Sequence, residues 1–335
     1  MSPSCPRRPD PEAHETEGIK GDADASSRKQ HGEPEMPATA CRRPLGAIVL
    51  CLLLIVPLLA SGAEYTLSAP PRESEEEARK LYEPIARFLT ENTGDRFRYV
   101  FPGSWLAYQS ALASDRYDLV FDGPHFVAWR MLRYGHEPLV RIPGQLRFTV
   151  VARNDSGLEK IDDISGHRVC GHPPPHLATL GLMALMDNPV RQPRVKEAPN
   201  FRKQFEAMMK DECEAMVLPN RLLKKFVRKD TPVHVIGQLP LVAHQAITAS
   251  SRIPPALRAR IRELLLSEAG QEAMAAMRQR YARGKPMIAA SPDDYDTQTA
   301  RLLEPVWFFS SNNPKHAGKL DRLVSSPGKT RSAQP

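Results

Sequence analysis

Four imidazoles, at His125, His172, His176 and His244, are the side chains of this 335-residue chain best suited to hold a ligand or move a proton. A neutral imidazole donates one hydrogen bond and a charged one donates two, so a ligand resting on His172 and His176 is bound in a pH-sensitive way. The same rings suit zinc, copper or iron, and convergence of all four on one cleft would make an exported metal receptor. Their spacing argues against that reading. An i, i+4 pair of ligands needs a helix, and the run Pro173-Pro174-Pro175 denies one to His172 and His176. Catalysis would use Cys170 as nucleophile and an imidazole as base, but no third, orienting group stands at a recognisable spacing. Cys170 also falls on an apolar strand, where a thiol packs better than it reacts. The expectation is a binding protein and not an enzyme, with no cofactor and no metal.

The elements that must position these groups begin after an address. Residues 1–35 are Pro, Glu, Ser, Lys and Gly with almost no aliphatic content, too little to offset chain entropy, so they are expected to be a disordered extension. The alternative is a mis-assigned start, because a chain beginning at Met36 has a basic start, an apolar stretch and a cleavage site in ordinary proportions. Arg42-Arg43 precede the apolar run from Leu45 to Ala60, which ends in Ser61-Gly62-Ala63, so residues 36–63 read as a secretory signal cleaved after Ala63. That run is shorter than the ~20 residues a membrane-spanning helix needs, and Pro57 interrupts it. The destination is the periplasm.

From Glu64 onward short β-rich runs alternate with amphipathic helices, which predicts βαβ units and parallel sheets. Tyr65 to Ala69, Phe97 to Phe101 and Asp118 to Phe121 read as strands. Between them lie a helix with Leu81, Ile85, Phe88 and Leu89 on one face and a helix from Ser104 to Ser114, and Gly123-Pro124 opens another. A second series runs through Phe148 to Ala152, Arg168 to Gly171, a helix near Leu177 to Met186, Val195 to Ala198, a helix from Phe201 to Met209, and Glu214 to Leu218. The apolar stretch Leu241 to Ala249 and the helices Pro255 to Ser267 and Ala269 to Arg283 return to the first unit. The predicted organisation is α/β, with residues 64–150 and 241–309 forming lobe 1, 151–240 forming lobe 2, and 310–335 a disordered tail. Two such lobes joined by a two-strand hinge trap a small ligand between strand ends and helix starts.

Composition adds exclusions. The net charge is +7 and the pI near 9.2, but bases are scattered among acids and form no nucleic-acid stripe. Arginines such as Arg258, Arg260 and Arg262 are expected on a solvated helix face. The five cysteines, Cys5, Cys41, Cys51, Cys170 and Cys213, match no zinc or CxxC pattern. After export only Cys170 and Cys213 remain, and opposite ends of parallel strands would leave them as buried free thiols.

Three segments carry a resemblance. Tyr82-Glu83-Pro84-Ile85-Ala86-Arg87-Phe88-Leu89, Asp118-Leu119-Val120-Phe121-Asp122-Gly123-Pro124, and the stretch from Asp155-Ser156-Gly157-Leu158 through Asp163-Ile164-Ser165-Gly166-His167-Arg168-Val169 together resemble the substrate-binding proteins of phosphonate, phosphite and phosphate ABC transporters. The resemblance implies a type II periplasmic binding fold, a small anionic ligand and an ABC permease as partner. An exported sensory or accessory protein with the same lobes and no transporter is the alternative. It further implies an oxyanion on helix N-termini, where free N–H groups and the macrodipole favour negative charge. Two starts qualify, the one after Gly123-Pro124 and the one from His176 to Thr179. The family's Ser-Thr-Ser-Gly loop is replaced here by His172-Pro173-Pro174-Pro175-His176, whose prolines remove three amide donors. The ligand set implied is Trp105, Gly123, Pro124, His125, Phe126, His172, His176, Thr179 and Glu214, with Trp105 and Phe126 as aromatic walls and Glu214 at the family's acidic position.

Overall fold

The computed structural model describes residues 62–304, apart from residue 187, and residue 306. The readings on residues 1–61 and 307–335 lie outside the described residues. The first lobe opens with β1 (Glu64–Ser68), α1 (Glu75–Thr93), β2 (Arg96–Tyr99), α2 (Trp105–Ala113), β3 (Leu119–Asp122), α3 (Pro124–Tyr134) and β4 (Glu137–Arg141). Next, β5 (Gln145–Leu146) leads to the second lobe: β6 (Phe148–Arg153), β7 (Arg168–Gly171), α4 (Leu177–Met183), β8 (Arg194–Glu197), α5 (Phe201–Met209), β9 (Ala215–Pro219), α6 (Asn220–Phe226) and β10 (Val233–Gln238). The chain returns through β11 (Val242–Ala243) and β12 (Ala246–Ala249), then α7 (Pro255–Leu266), α8 (Glu268–Ala273), α9 (Ala275–Ala282), β13 (Ile288–Ala289) and α10 (Thr297–Arg301).

Each lobe is built on one sheet. The first has the order β13-β4-β12-β3-β1-β2, with β1 parallel to both β2 and β3 and the returning β12 antiparallel to β3. The second has the order β10-β6-β9-β7-β8, with β7 parallel to β8 and β9. The crossing segments pair with each other as the two-stranded antiparallel β5 and β11. β6 belongs whole to the second sheet, so the crossing falls a few residues before the expected boundary at 150/151. Strands buried on both sides explain the apolar runs: Leu119, Val120, Phe121 and Asp122 are all buried, as are Ala215 to Pro219.

Local signals set the elements that matter for the site. Ser74 and Glu77 form a capping box at the start of α1, and Gly94 closes it at φ 82°, a left-handed value glycine adopts without strain. Ser104 caps α2 through the amide of Ala107. The predicted helix from Ala269 to Arg283 is divided at Met274 into α8 and α9. Arg258 and Arg262 are not solvated as expected. Both reach Glu137 of β4, at 2.9 and 2.7 Å, while Arg260 keeps more than half of its side chain in solvent.

The cysteine expectation is overturned. Cys170 and Cys213 form a disulfide, with Cα atoms 5.7 Å apart, inside a cluster with Met208, Met216 and Leu218. The chain turns at Asp211, φ 62°, on leaving α5, so Cys213 packs against β7 instead of lying beyond its far end. The bridge closes 43 residues of sequence. Cys170→Ser is expected to lower unfolding free energy by roughly 2–4 kcal/mol. Urea denaturation with and without reductant checks this, because the reductant should destabilise the wild type and leave the variant unchanged.

Candidate functional site

β3 delivers its last residue, Asp122, to the carboxyl end of the sheet, and Gly123 then enters α3 as an extended N-cap without a side-chain cap on the first-turn amides. His125, the second residue of α3, is 4% exposed. Its Nε2 lies 3.0 Å from the carbonyl of Pro175, in the loop between β7 and α4 of the other lobe. A carbonyl only accepts, so Nε2 carries the proton and Nδ1 is a bare acceptor. That Nδ1 is buried without a hydrogen-bond partner.

Arg72, in the loop between β1 and α1, stands on the other side of Gly123. A Cβ at position 123 would lie 3.0 Å from His125 Cε1, 3.2 Å from its Nδ1 and 3.8 Å from Arg72 Nη2, so a side chain there would press on the His125 ring and the two groups border one point. Burial opposes the guanidinium charge, but Tyr281, Tyr82, Asp122 and Glu73 outweigh burial and raise its pKa. Its Nη1 is buried with no hydrogen-bond partner, and it forms no ion pair with a carboxylate among the described residues.

The second lobe adds its own imidazoles. His176 is the N-cap of α4 and its Nδ1 accepts from the amide of Ala178 at 3.3 Å, which leaves the proton on Nε2. The His172 and His176 rings are 4.4 Å apart, and Phe201 closes on both from α5 at 5.0 and 5.9 Å. Burial, then His172, His125 and Arg72, push His176 down to about 3. Burial also pushes His125 down to about 3, with Arg72 adding to it and the Pro175 carbonyl opposing it, and burial lowers His172. These rings are therefore neutral at neutral pH, and each donates through one nitrogen.

This carries a consequence for acid stability. An unfolded histidine titrates near 6.5, so between 6.5 and 3 the unfolded chain binds a proton that the folded His125 refuses. The contribution is complete above 6.5 and is lost as pH falls towards 3. Moving from pH 7 to pH 5 is expected to remove about 2 kcal/mol through His125, read as the difference between the wild type and His125→Ala in urea denaturation at the two values, since His176 adds its own share.

Beneath the helix start, Asp122 accepts from the Tyr108 hydroxyl at 2.6 Å and from Arg130 Nε at 2.9 Å. Arg130 Nη2 donates in turn to the Tyr108 oxygen at 3.2 Å, and all three residues are fully buried. The set ties β3, α2 and α3 together at the point where Gly123 turns, and it neutralises the one carboxylate adjacent to the cleft end of β3.

Of the residues predicted for the site, Gly123, Pro124, His125, His172 and His176 come together. Phe126 does not line it. It is 1% exposed and packs with Tyr108, Leu112 and Leu180. The Thr179 hydroxyl is spent on the carbonyl of His172 at 2.6 Å. The expected helix start from His176 to Thr179 is not an open anion site either, since α4 has only seven residues and His176 covers the amide of Ala178. Trp105 opens α2, 36% exposed, and meets Tyr108 edge-on at 6.2 Å. Glu214 lies elsewhere, at the opposite end of β7 from His172, where it holds Arg168 through the backbone amide at 2.8 Å and the guanidinium at 2.7 Å. His244 does not join the cluster. Its Nδ1 accepts from the amide of Gln245, and among the described residues no three His, Cys, Asp or Glu side chains are grouped to hold a metal ion. Arg72, Asp122 and Arg130 were missed. The only signal for Arg72 was its place just after the carboxyl end of a parallel strand, where ligands bind in open α/β sheets.

Residues 67–295 match the model of a family described as the phosphonate ABC transporter periplasmic substrate-binding protein. The chain belongs to this family. Binding a solute for an ABC transporter is the role it thereby has, with a small ligand and a membrane permease as counterparts and export as the route. Solved structures share the fold of this phosphonate-binding family member. PhnD1 from Prochlorococcus marinus, in complex with methylphosphonate, superposes with a TM-score of 0.53 at 10% identity, covering 72% of this chain and 99% of that one. A Xanthomonas citri protein bound to ATP gives 0.55 at 13%, covering 72% and 95%, and the same protein bound to chloride ion gives 0.54 at 14%. Both support a type II periplasmic binding fold. Comparison with curated proteins finds no match.

Proposed function

We propose that this phosphonate-binding family member captures a small, phosphonate-like oxyanion between its lobes and delivers it to the permease without altering it chemically. The observation that carries the reading is Arg72, whose buried Nη1 lacks a protein partner beside the uncapped start of α3. A charged donor held out of water without an acceptor costs several times an ordinary hydrogen bond, and a bound anion removes that cost. The eleven residues of α3 turn the positive end of the helix dipole towards the same place. Gly123 and His125 on one side and His172 and His176 on the other complete the walls.

The non-enzymatic part of the proposal is supported by Cys170, the sequence's one plausible nucleophile here, which is tied up in the disulfide. The bridge also suits an oxidising compartment such as the periplasm. Cleavage after Ala63 is supported by β1, which starts at Glu64.

A thermal-shift screen at two pH values tests the ligand class, with phosphate, phosphite, methylphosphonate, sulfate, acetate and divalent metal chlorides as probes. An oxyanion is expected to raise the Tm, and at a hundred times its Kd the gain is ~2.7 kcal/mol. Stabilisation by metals alone would overturn the proposal in favour of a metal receptor.

A further inference from the structure

We infer that the cleft selects an oxyanion that still carries a proton, the hydrogen phosphonate form, and rejects isosteric anions that have none, such as sulfonates and sulfate. The inference rests on the oxyanion reading and adds the hydrogen-bond polarity of the site to it. Two groups bordering the same point beside Gly123 have opposite polarity. Arg72 is a donor on every nitrogen, and its Nη1 is unpartnered. His125 Nδ1, 3.2 Å from that point and equally unpartnered, can only accept, because the Pro175 carbonyl holds the proton on Nε2. His176, with Nδ1 engaged by the amide of Ala178, offers an N–H at Nε2.

A fully deprotonated oxyanion satisfies the donors and places a lone pair of its own against the lone pair of Nδ1. Acceptor against acceptor leaves a buried polar atom unpaired and adds repulsion. A monoprotonated phosphonate turns its P–OH towards Nδ1 and its charged oxygens towards the donors, and both Nδ1 of His125 and Nη1 of Arg72 then have a partner. His125 has no cheap way to adapt. Turning the ring to present a proton at Nδ1 would give up the bond to Pro175, and becoming charged is opposed by burial and by Arg72.

The charged and titratable groups around His125 do not supply an alternative. Arg72 faces it from the β1–α1 loop, and from the loop that carries Pro175 and the start of α4 His176 is near enough for its charge to be felt, with His172 packed against its ring. Asp122 is engaged by Arg130 and Tyr108, and Glu73, which accepts from Tyr281 at Oε1 and has Oε2 buried without a partner, acts on Arg72 and is not among the charges that bear on His125. The three imidazoles all have lowered pKa values, so a change in affinity between pH 6 and pH 9 reports the ionisation of the ligand.

Calorimetric titration of the purified protein with methylphosphonate and with methanesulfonate tests this, because at pH 6 the two have the same size and the same single charge and differ by one proton. Methylphosphonate is expected to bind at least about a hundredfold more tightly, in line with sites built around a ligand hydroxyl. Its affinity should then fall as pH rises through its second ionisation. In His125→Ala the gap should shrink to less than about tenfold, while Arg72→Ala weakens both ligands alike. Equal binding of the two by the wild type, or a gap that survives in His125→Ala, overturns the inference and leaves the oxyanion reading standing. If neither ligand binds, nor phosphate, phosphite or sulfate, the oxyanion reading itself has failed. Should His125→Ala not fold, the wild-type comparison and its pH course still decide the matter.

Discussion

Arg130→Met is expected to destabilise the protein by about 3–5 kcal/mol, although the substituted side chain is of similar length and lies wholly inside. The cost comes from what is left behind. Asp122 and Arg130 are both at 0% exposure, and the carboxylate is held by Arg130 Nε at 2.9 Å and by the Tyr108 hydroxyl at 2.6 Å. For the arginine, burial opposes the charge and Tyr108 and Asp122 outweigh it, while burial, reinforced by Asp122, drives the Tyr108 hydroxyl far above its usual range. Neither the tyrosine nor water can replace the guanidinium, so the variant must keep an uncompensated charge in the core or protonate it. The double substitution Asp122→Leu with Arg130→Met removes both charges and is expected to recover most of the loss. Urea denaturation of the two single variants and the double variant at pH 7 gives the coupling directly. Simple addition of the single-variant losses would show that the pair does not act as a unit.

The same clamp shows which parts of the molecule could be read in advance. Periodicity, caps and breakers are local, so β7 and α5 were found with their observed limits and α3 was placed at Gly123-Pro124. Ser74, Glu77 and Gly94 bound α1 for reasons visible within a few residues. Side-chain partnerships across the sequence are another matter. Arg72 is one of 46 lysines and arginines, and nothing adjacent marks it as the one whose guanidinium stands beside Gly123. The pairing of His125 with Pro175 spans 50 positions and two lobes, and it decides a tautomer that composition leaves open. Glu214 came from the family's acidic position, and the parallel pairing of β7 and β9 puts the residue just before β9 at the opposite end from the loop that follows β7. The disulfide was missed because Cys170 and Cys213 were placed at opposite ends of parallel strands, whereas after the turn at Asp211 Cys213 packs against Cys170 of β7 beside α5.

Arg72→Ala should bind the oxyanion about a hundredfold to a thousandfold more weakly, about 3–4 kcal/mol, while unfolding with nearly the wild-type midpoint. The two halves of this expectation have separate causes. Nη1 has no partner within the protein, so removing it takes away no internal hydrogen bond and relieves a buried donor. What the fold loses is the contact with the Tyr281 ring, 5.9 Å from the guanidinium carbon, and some long-range attraction to Glu73 and Asp122. Glu73 keeps Tyr281 and Arg280, and Asp122 keeps Arg130 and Tyr108. The ligand loses the one full positive charge bordering the start of α3, and the neutral His172 and His176 cannot restore it. Arg72→Lys keeps the charge but not the planar fork that meets two oxygens, so it should fall between the wild type and the alanine variant. Calorimetry with methylphosphonate, together with a urea curve for each variant, separates the two effects. Wild-type affinity in Arg72→Ala would mean that the anion sits elsewhere, whereas joint loss of affinity and stability would make Arg72 a brace of the fold.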